Sequence, residues 1–211
     1  MEGGAHCTGD QLGRWVLNLE ASQIAPGDSV AESGEVPLVF VFLGDHLPEY
    51  AEASVRAAAD AFSGPIYLLV DSEPEDSIEA CAVVDIRTWY QRQPFEGFAR
   101  RAVVDPVFRG GFWLKAVERF YVLRQFVERE GFARFYHAEL DVLVLSLGRV
   151  SHSLDSIGSG VFFPLQRPDR GIASIVYCNS YRGFDDLLNF FEGNAHLGNE
   201  MNMLGAFASE N

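Results

Sequence analysis

Positive charge is scarce in this chain: 16 Lys and Arg stand against 30 Asp and Glu over 211 residues, a formal net charge of -14 with an isoelectric point near 4.7. A partner gripped through a phosphate backbone requires a basic stripe, so this balance excludes nucleic acid and favours a small molecule or a protein. Cysteine is sparse as well. Cys7, Cys81 and Cys178 are odd in number and share no paired spacing, which supplies neither a disulfide framework nor a zinc site and points to a reducing, cytoplasmic setting. No apolar run approaches the ~20 residues of a membrane-spanning helix, and the N-terminus lacks the basic region and apolar core of a secretory signal. Gly-x-Gly-x-x-Gly and Gly-Lys-Ser or Gly-Lys-Thr phosphate loops are absent, which disfavours a dehydrogenase or a P-loop nucleotidase. No repeat or low-complexity tract replaces them.

Apolar residues, by contrast, are plentiful. With 48% hydrophobic residues and 17 Phe, the chain has material for one substantial core. Residues 1–35 mix Gly, Ser and Asp with short apolar patches and read as an irregular leader; residues 36–211 read as one domain. The β-branched and aromatic run 36–43 is a strand buried on both faces, ending in Gly44-Asp45. An Ala-rich helix over 50–62 and a second strand over 66–70, closed by Asp71, complete a βαβ unit, and 82–86 is a third strand. Residues 87–111 show no clear period and read as a long loop with some helical turns. Trp113, Ala116, Val117, Phe120, Leu123 and Val127 mark a helix ending near Gly131. Strands over 135–137, 160–164 and 172–177 follow, then helices over 184–191 and 201–207. The class is α/β, with a mostly parallel central sheet flanked by helices.

The most informative feature is Glu139-Leu140-Asp141, where an apolar strand meets a second apolar run. Alternation in extended chain turns Glu139 and Asp141 the same way and Leu140 towards the core. Two oxygen ligands on one side of a strand end suit a hard divalent cation such as Mg²⁺ or Mn²⁺; a solvated strand-end turn is the plainer reading. Lys115 and Arg119 are four apart and share a helix face, so both can reach an anionic diphosphate, or they form a solvated face paired with Glu118. Arg109-Gly110-Gly111 is either a flexible approach that offers backbone N–H groups to a phosphate or a simple turn. Leu43, Gly44, Asp45 and Asp71 sit at strand ends, where an open parallel sheet receives ligands. His137 reads as a core histidine satisfied within the fold. Asn199 and Glu200 read as the cap and acidic first turn of the last helix.

With its carboxylate pair in mid-domain after βα units, the chain resembles the GT-A glycosyltransferases, enzymes whose Asp-x-Asp or variant motif holds a divalent cation. The resemblance covers roughly residues 36–207 and implies a single GT-A-like, Rossmann-like domain that moves a sugar from a nucleotide diphosphate donor, a UDP-sugar, to an acceptor that is a glycan, lipid or protein. It implies Asp141 as the principal metal ligand and Glu139 as a support to the metal or the ribose, with Glu in place of the usual Asp. It also implies Leu43, Gly44, Asp45 and Asp71 at the base and ribose, with Ile172-Ala173-Ser174 beside the donor sugar. Glu200 resembles the acidic residue that, in inverting enzymes of this fold, removes the acceptor's hydroxyl proton. Many GT-A enzymes add a late histidine to the metal, whereas His196 is the last one here. Either water and substrate complete the site, or a C-terminal part beyond Asn211 does. The rival readings are a nucleotidyltransferase-like sugar-nucleotide enzyme, which normally opens with a Gly-rich loop and basic residue after the first strand, and a non-catalytic binding domain of the same fold.

Overall fold

A five-residue apolar strand, β1 (Leu38–Phe42), forms the middle of the sheet, and four of its residues are buried because protein covers both of its faces. The computed structural model describes residues 36–72, 78–147 and 150–210; the leader expected over residues 1–35 lies outside them. Helix α1 (Ala51–Ala61) crosses over to β2 (Ile66–Val70), which pairs parallel with β1 from Leu38 opposite Ile66 to Phe42 opposite Val70. Beyond it β3 (Ala82–Asp85) adds a third parallel strand. The chain then returns through α2 (Gln93–Ala99) and α3 (Phe112–Glu130) to lay β4 (Phe135–Ala138) on the other side of β1, again parallel.

The remaining elements are α4 (Val150–Asp155), β5 (Val161–Phe162), β6 (Leu165–Arg167), β7 (Arg170–Gly171), β8 (Ile175–Cys178), α5 (Tyr181–Gly193) and α6 (Glu200–Glu210). Strand β8 runs antiparallel to β4, and β5 antiparallel to β8, so the sheet reads β3-β2-β1-β4-β8-β5; β6 and β7 form a separate hairpin. This is the mixed α/β architecture with a mostly parallel central sheet that the sequence implies.

Side-chain alternation along β1 divides the core in two. Leu38 and Phe40 face α1, joining Val55, Ala58 and Tyr136, while Val39 and Val41 face α3, joining Phe120, Phe126 and Phe135. Phe120 sits at the centre of the second half, 5.4 Å from the ring of Phe191 and 6.3 Å from that of Phe184 on α5. Helix α3 stops at Gly131, whose φ of 73° lies in the left-handed region that favours glycine, with the Phe132 N–H donating 2.9 Å to the Val127 carbonyl. Because β4 begins only four residues later, helix and strand run in opposite directions. The start of α3 therefore lies over the carboxyl end of β4.

The long loop expected over 87–111 has its helical turns, one expected strand shifts, and two short elements were not expected. The 87–111 stretch contains a two-turn helix, α2, with a proline in its first turn, and one-turn 3₁₀ helices at Ile86–Thr88 and Phe108–Gly110; elements this short carry no readable period. The strand expected over 172–177 is found from Ile175 onward as part of β8, while residues 172–174 form the turn that follows β7. Helix α4 and the β6–β7 hairpin, exposed and brief, leave no apolar pattern in the sequence.

Helix α6 packs on β7 so closely that a Cβ placed at Gly205 would lie 2.1 Å from the Asp169 carbonyl carbon and 2.3 Å from the Arg170 nitrogen. Backbone cannot step aside as a side chain can. Gly205→Ala is expected to lower unfolding stability by about 2 kcal/mol or more in a urea titration, the scale of an overpacked core; an unchanged midpoint would show that α6 can slide on the hairpin.

Candidate active site

The strand order reverses at β1: β2 and β3 lie on one side, while β4, supplied by the later half of the chain, lies on the other. At such a switch point the loops leaving adjacent strands part in opposite directions and leave a crevice at the carboxyl edge, where open α/β sheets receive ligands. Here that edge carries Leu43-Gly44-Asp45 after β1 and Glu139-Leu140-Asp141 after β4. Asp71, at the end of β2, accepts a 2.7 Å hydrogen bond from the Gly44 N–H. That bond ties the first two strand ends together. Asp45 and Asp71 are exposed, while Leu43 and Gly44 are half-buried.

The Glu-x-Asp segment is a turn held at both ends. The Glu139 N–H donates 3.1 Å to the Ser174 carbonyl, and the Glu139 carbonyl accepts from the Val142 N–H at 3.1 Å. Leu140 is buried among the residues facing α1, although the segment is a turn and not the extended chain expected. Glu139 meets Arg119 of α3 at 2.6 Å, with the guanidinium only 13% exposed and the carboxylate 25%. Asp141 is exposed and has no hydrogen bond or ion pair to any described residue. The two carboxylates therefore differ: one is neutralised by a fixed cation and the other is open to solvent.

Glu118, one alternative partner for Lys115 and Arg119, is buried and instead pairs with Arg92 at 2.8 Å and accepts from the Tyr90 hydroxyl at 3.4 Å. Arg119 is thus committed to Glu139. Lys115, half-buried one turn earlier on α3, makes no ion pair with a described residue.

Glu200 lies in the first turn of α6, 4% exposed. Asn199 caps that helix, its Oδ1 accepting from the Asn202 N–H at 3.1 Å, and Glu200 stands in the acidic first turn, as the capping account expects. Its Oε2 is buried without a hydrogen-bond partner. Burial raises its pKa; Arg119 and a hydrogen bond from its own backbone N–H oppose that shift, Glu139 adds to it and Arg170 opposes it again. Arg170, whose Nε is also buried and unpartnered, reaches Met201 Sδ at 3.3 Å. Two guanidinium groups and two carboxyls thus lie within electrostatic reach of one another at the crevice. The sequence offered no sign of Arg170, which enters from the β6–β7 hairpin.

His137 is fully buried, with Nδ1 2.9 Å from the Val39 carbonyl. A carbonyl can only accept, so Nδ1 carries the proton and the unpartnered Nε2 is a bare acceptor. Burial, reinforced by Arg119, pushes its pKa down to about 3 and keeps the ring neutral. Only half of the expected core satisfaction is present.

Among the described residues no three His, Cys, Asp or Glu side chains are placed to hold a metal ion. A resident cation needs such a set, whereas Mg²⁺ and similar ions are often held by one or two carboxylates together with substrate phosphates. Asp141 fits the second arrangement.

No protein-family model matches this sequence, and no curated protein matches it. Among solved structures, the chain is similar to mouse xyloside xylosyltransferase 1 in its apo form, at 10% identity over 82% of each chain with a TM-score of 0.48. It is also similar to the PaToxG glycosyltransferase, at 11% identity over 82% of this chain and 68% of that one, with a TM-score of 0.53. The chain thus shares its fold with the PaToxG glycosyltransferase. Among the described residues no helix is long and apolar enough to cross a membrane.

The buried carboxyl has a measurable signature. A carboxyl whose folded pKa exceeds its unfolded value contributes stability that is fully present below the unfolded pKa and is lost as pH rises through the folded one. Glu200→Gln cannot ionise, so chemical denaturation from pH 4 to pH 8 is expected to show the variant gaining on the parent as pH rises. A constant difference across that range would mean that Glu200 is solvated like a surface carboxylate.

Proposed function

We propose that this protein is a glycosyltransferase that moves a sugar from a nucleotide diphosphate donor, most simply a UDP-sugar, to an acceptor hydroxyl. The observation that carries the reading is the meeting of the β1 and β4 carboxyl ends at the switch point, which joins Gly44-Asp45 to Glu139-x-Asp141. The nucleoside lies along Leu43, Gly44, Asp45 and Asp71, with Gly44 held by its bond to Asp71. Glu139, clamped by Arg119, is a rigid acceptor for ribose or sugar hydroxyls, and Lys115 faces the diphosphate.

Asp141 holds a Mn²⁺ or Mg²⁺ ion that arrives with the diphosphate. Such an ion offsets the charge that builds on the leaving group. During transfer the bond from the sugar C1 to the diphosphate oxygen breaks, a bond from C1 to the acceptor oxygen forms, and the acceptor proton passes to Glu200. A carboxyl with a raised pKa is better matched to that task near neutrality than an ordinary one. The second reading is a binding domain of the same fold without turnover.

Two variants separate these readings. Titration calorimetry of UDP with and without Mn²⁺ is expected to show metal-enhanced affinity in the parent chain and none in Asp141→Ala, whose ligand-free stability stays unchanged because the residue is exposed. Equal enhancement in both would remove Asp141 from the site. At a hundredfold excess of UDP over its Kd, the parent gains about 2.7 kcal/mol of stability. Glu200→Gln is expected to keep donor binding and lose about a hundredfold or more in turnover. Donor binding without transfer in the parent chain, across glycan, lipid and protein acceptors, would favour the binding domain.

A further inference from the structure

The connection from α2 to α3 differs from the rest of the protein in charge and in exposure. Residues 100–115 contain Arg100, Arg101, Arg109 and Lys115 but a single acid, Asp105. Arg101 pairs with Glu192 of α5 and Lys115 faces the crevice, so Arg100 and Arg109 are the cations this stretch leaves without an ion pair to a described residue. Asp105 is engaged locally, its Oδ1 accepting the Val107 N–H at 3.0 Å. The same connection carries four exposed apolar side chains, Val103 at 70%, Val107 at 78%, Phe108 at 39% and Phe112 at 43%. Exposed large apolar residues in such density mark an interaction surface.

The patch adjoins the crevice. The Val103 N–H donates 3.4 Å to the Ala195 carbonyl, and the Val103 oxygen lies so close to Gly198 that a Cβ there would sit 2.9 Å from it. Gly198 is two residues from Glu200. Phe112 opens α3 seven residues before Arg119, so it stands about 10 Å along the helix from the Arg119–Glu139 pair. Whatever rests on this surface is next to the residues assigned to the acceptor.

The chemistry of the patch selects its occupant. A sugar ring is held by an open aromatic face, but the Phe108 ring stacks on Trp113 at 5.9 Å and 10° and carries the Arg109 guanidinium 5.4 Å from its centroid. Phe112 meets Trp113 edge-on at 5.0 Å and 70°. Arg109 itself sits at φ 46°, the one described non-glycine residue in the left-handed region. The surface thus presents aliphatic tips, ring edges and cations, with Phe, Trp and Arg together as in the anchor regions of protein interfaces. At physiological ionic strength charges are screened beyond about 8 Å, so a partner touching this patch meets Arg100, Arg109 and the locally engaged Asp105 more than the chain's net -14.

We propose that residues 100–113 dock a polypeptide acceptor, through a segment that inserts an apolar side chain and flanks it with carboxylates that reach Arg100 and Arg109. The proposal rests on the glycosyl-transfer reading for the word acceptor and on the patch for the docking.

Three fluorescein-labelled peptides of equal length test it on the full chain by anisotropy: one with Glu residues flanking Phe and Leu beside a Ser, one with Lys replacing Glu, and one with Gly replacing Phe and Leu. The first is expected to bind at least ten-fold more tightly than the others, and to weaken with added salt. Val107→Asp and Phe112→Asp should each lower that affinity by about ten-fold, the scale of an interface anchor, while keeping parental Mn²⁺–UDP binding and thermal stability. Equal binding of all three peptides, no binding of any, or unchanged affinity in the variants overturns the proposal. Capture by phosphatidylserine vesicles or a neutral oligosaccharide through the same two residues, without peptide binding, overturns it in favour of a lipid or glycan surface. Peptide docking through the patch with no nucleotide binding in the parent chain overturns the acceptor role and, separately, the transfer reading beneath it.

Discussion

The parallel pairing of β1 with β4 is the constraint on which the rest of the molecule depends. Val39 and His137 lie opposite each other although 98 residues separate them, and every element between them serves to return the chain to the same edge of the sheet. Parallel neighbours cannot be joined by a tight turn, so a crossover is obligatory, and here α3 supplies its last helix. The pairing has two effects at once. It divides the core into an α1 half and an α3 half, and it sets the loops after β1 and β4 side by side at the point where strand order reverses.

Electrostatics at that edge follow from the same placement. In a protein with nearly twice as many acids as bases, a half-buried carboxylate survives only with a dedicated cation, and Arg119 performs that role for Glu139. The neighbouring Glu200 has no such direct partner and is held back from ionising by burial. One arginine therefore influences two carboxyls and a buried histidine in different ways, lowering the pKa of Glu200 and of His137 alike. The open carboxylate, Asp141, is the one the core does not use.

The basic, apolar connection before α3 shows the same economy of position. Its exposed side chains contribute nothing to the core, yet its ends are fixed, by the Ala195 carbonyl on one side and by the start of α3 on the other. Surface of this kind costs solubility, and an otherwise acidic exterior offsets that cost. Similarity to known structures extends to the fold.

How much of this was legible in the residues depends on whether the information was local. The βαβ unit, the α3 period from Trp113 to Val127, and Glu139-x-Asp141 at a strand end were readable because each is a pattern within a few turns of chain. The strand expected over 172–177 begins only at Ile175 because Ala173 and Ser174 form a turn whose Ser174 carbonyl accepts from the Glu139 N–H, a contact made across the sheet. Glu118 illustrates the limit from the other side: helical spacing made it a neighbour of Lys115 and Arg119, yet it is turned into the core to meet Arg92 and Tyr90 from a segment that shows no periodicity. Composition, the order of strands and helices and the acidic motif were determined by the sequence by itself. The partner of each charge was decided only by the tertiary structure, because a pairing energy depends on distance and burial, and both are set by elements that are far apart along the chain.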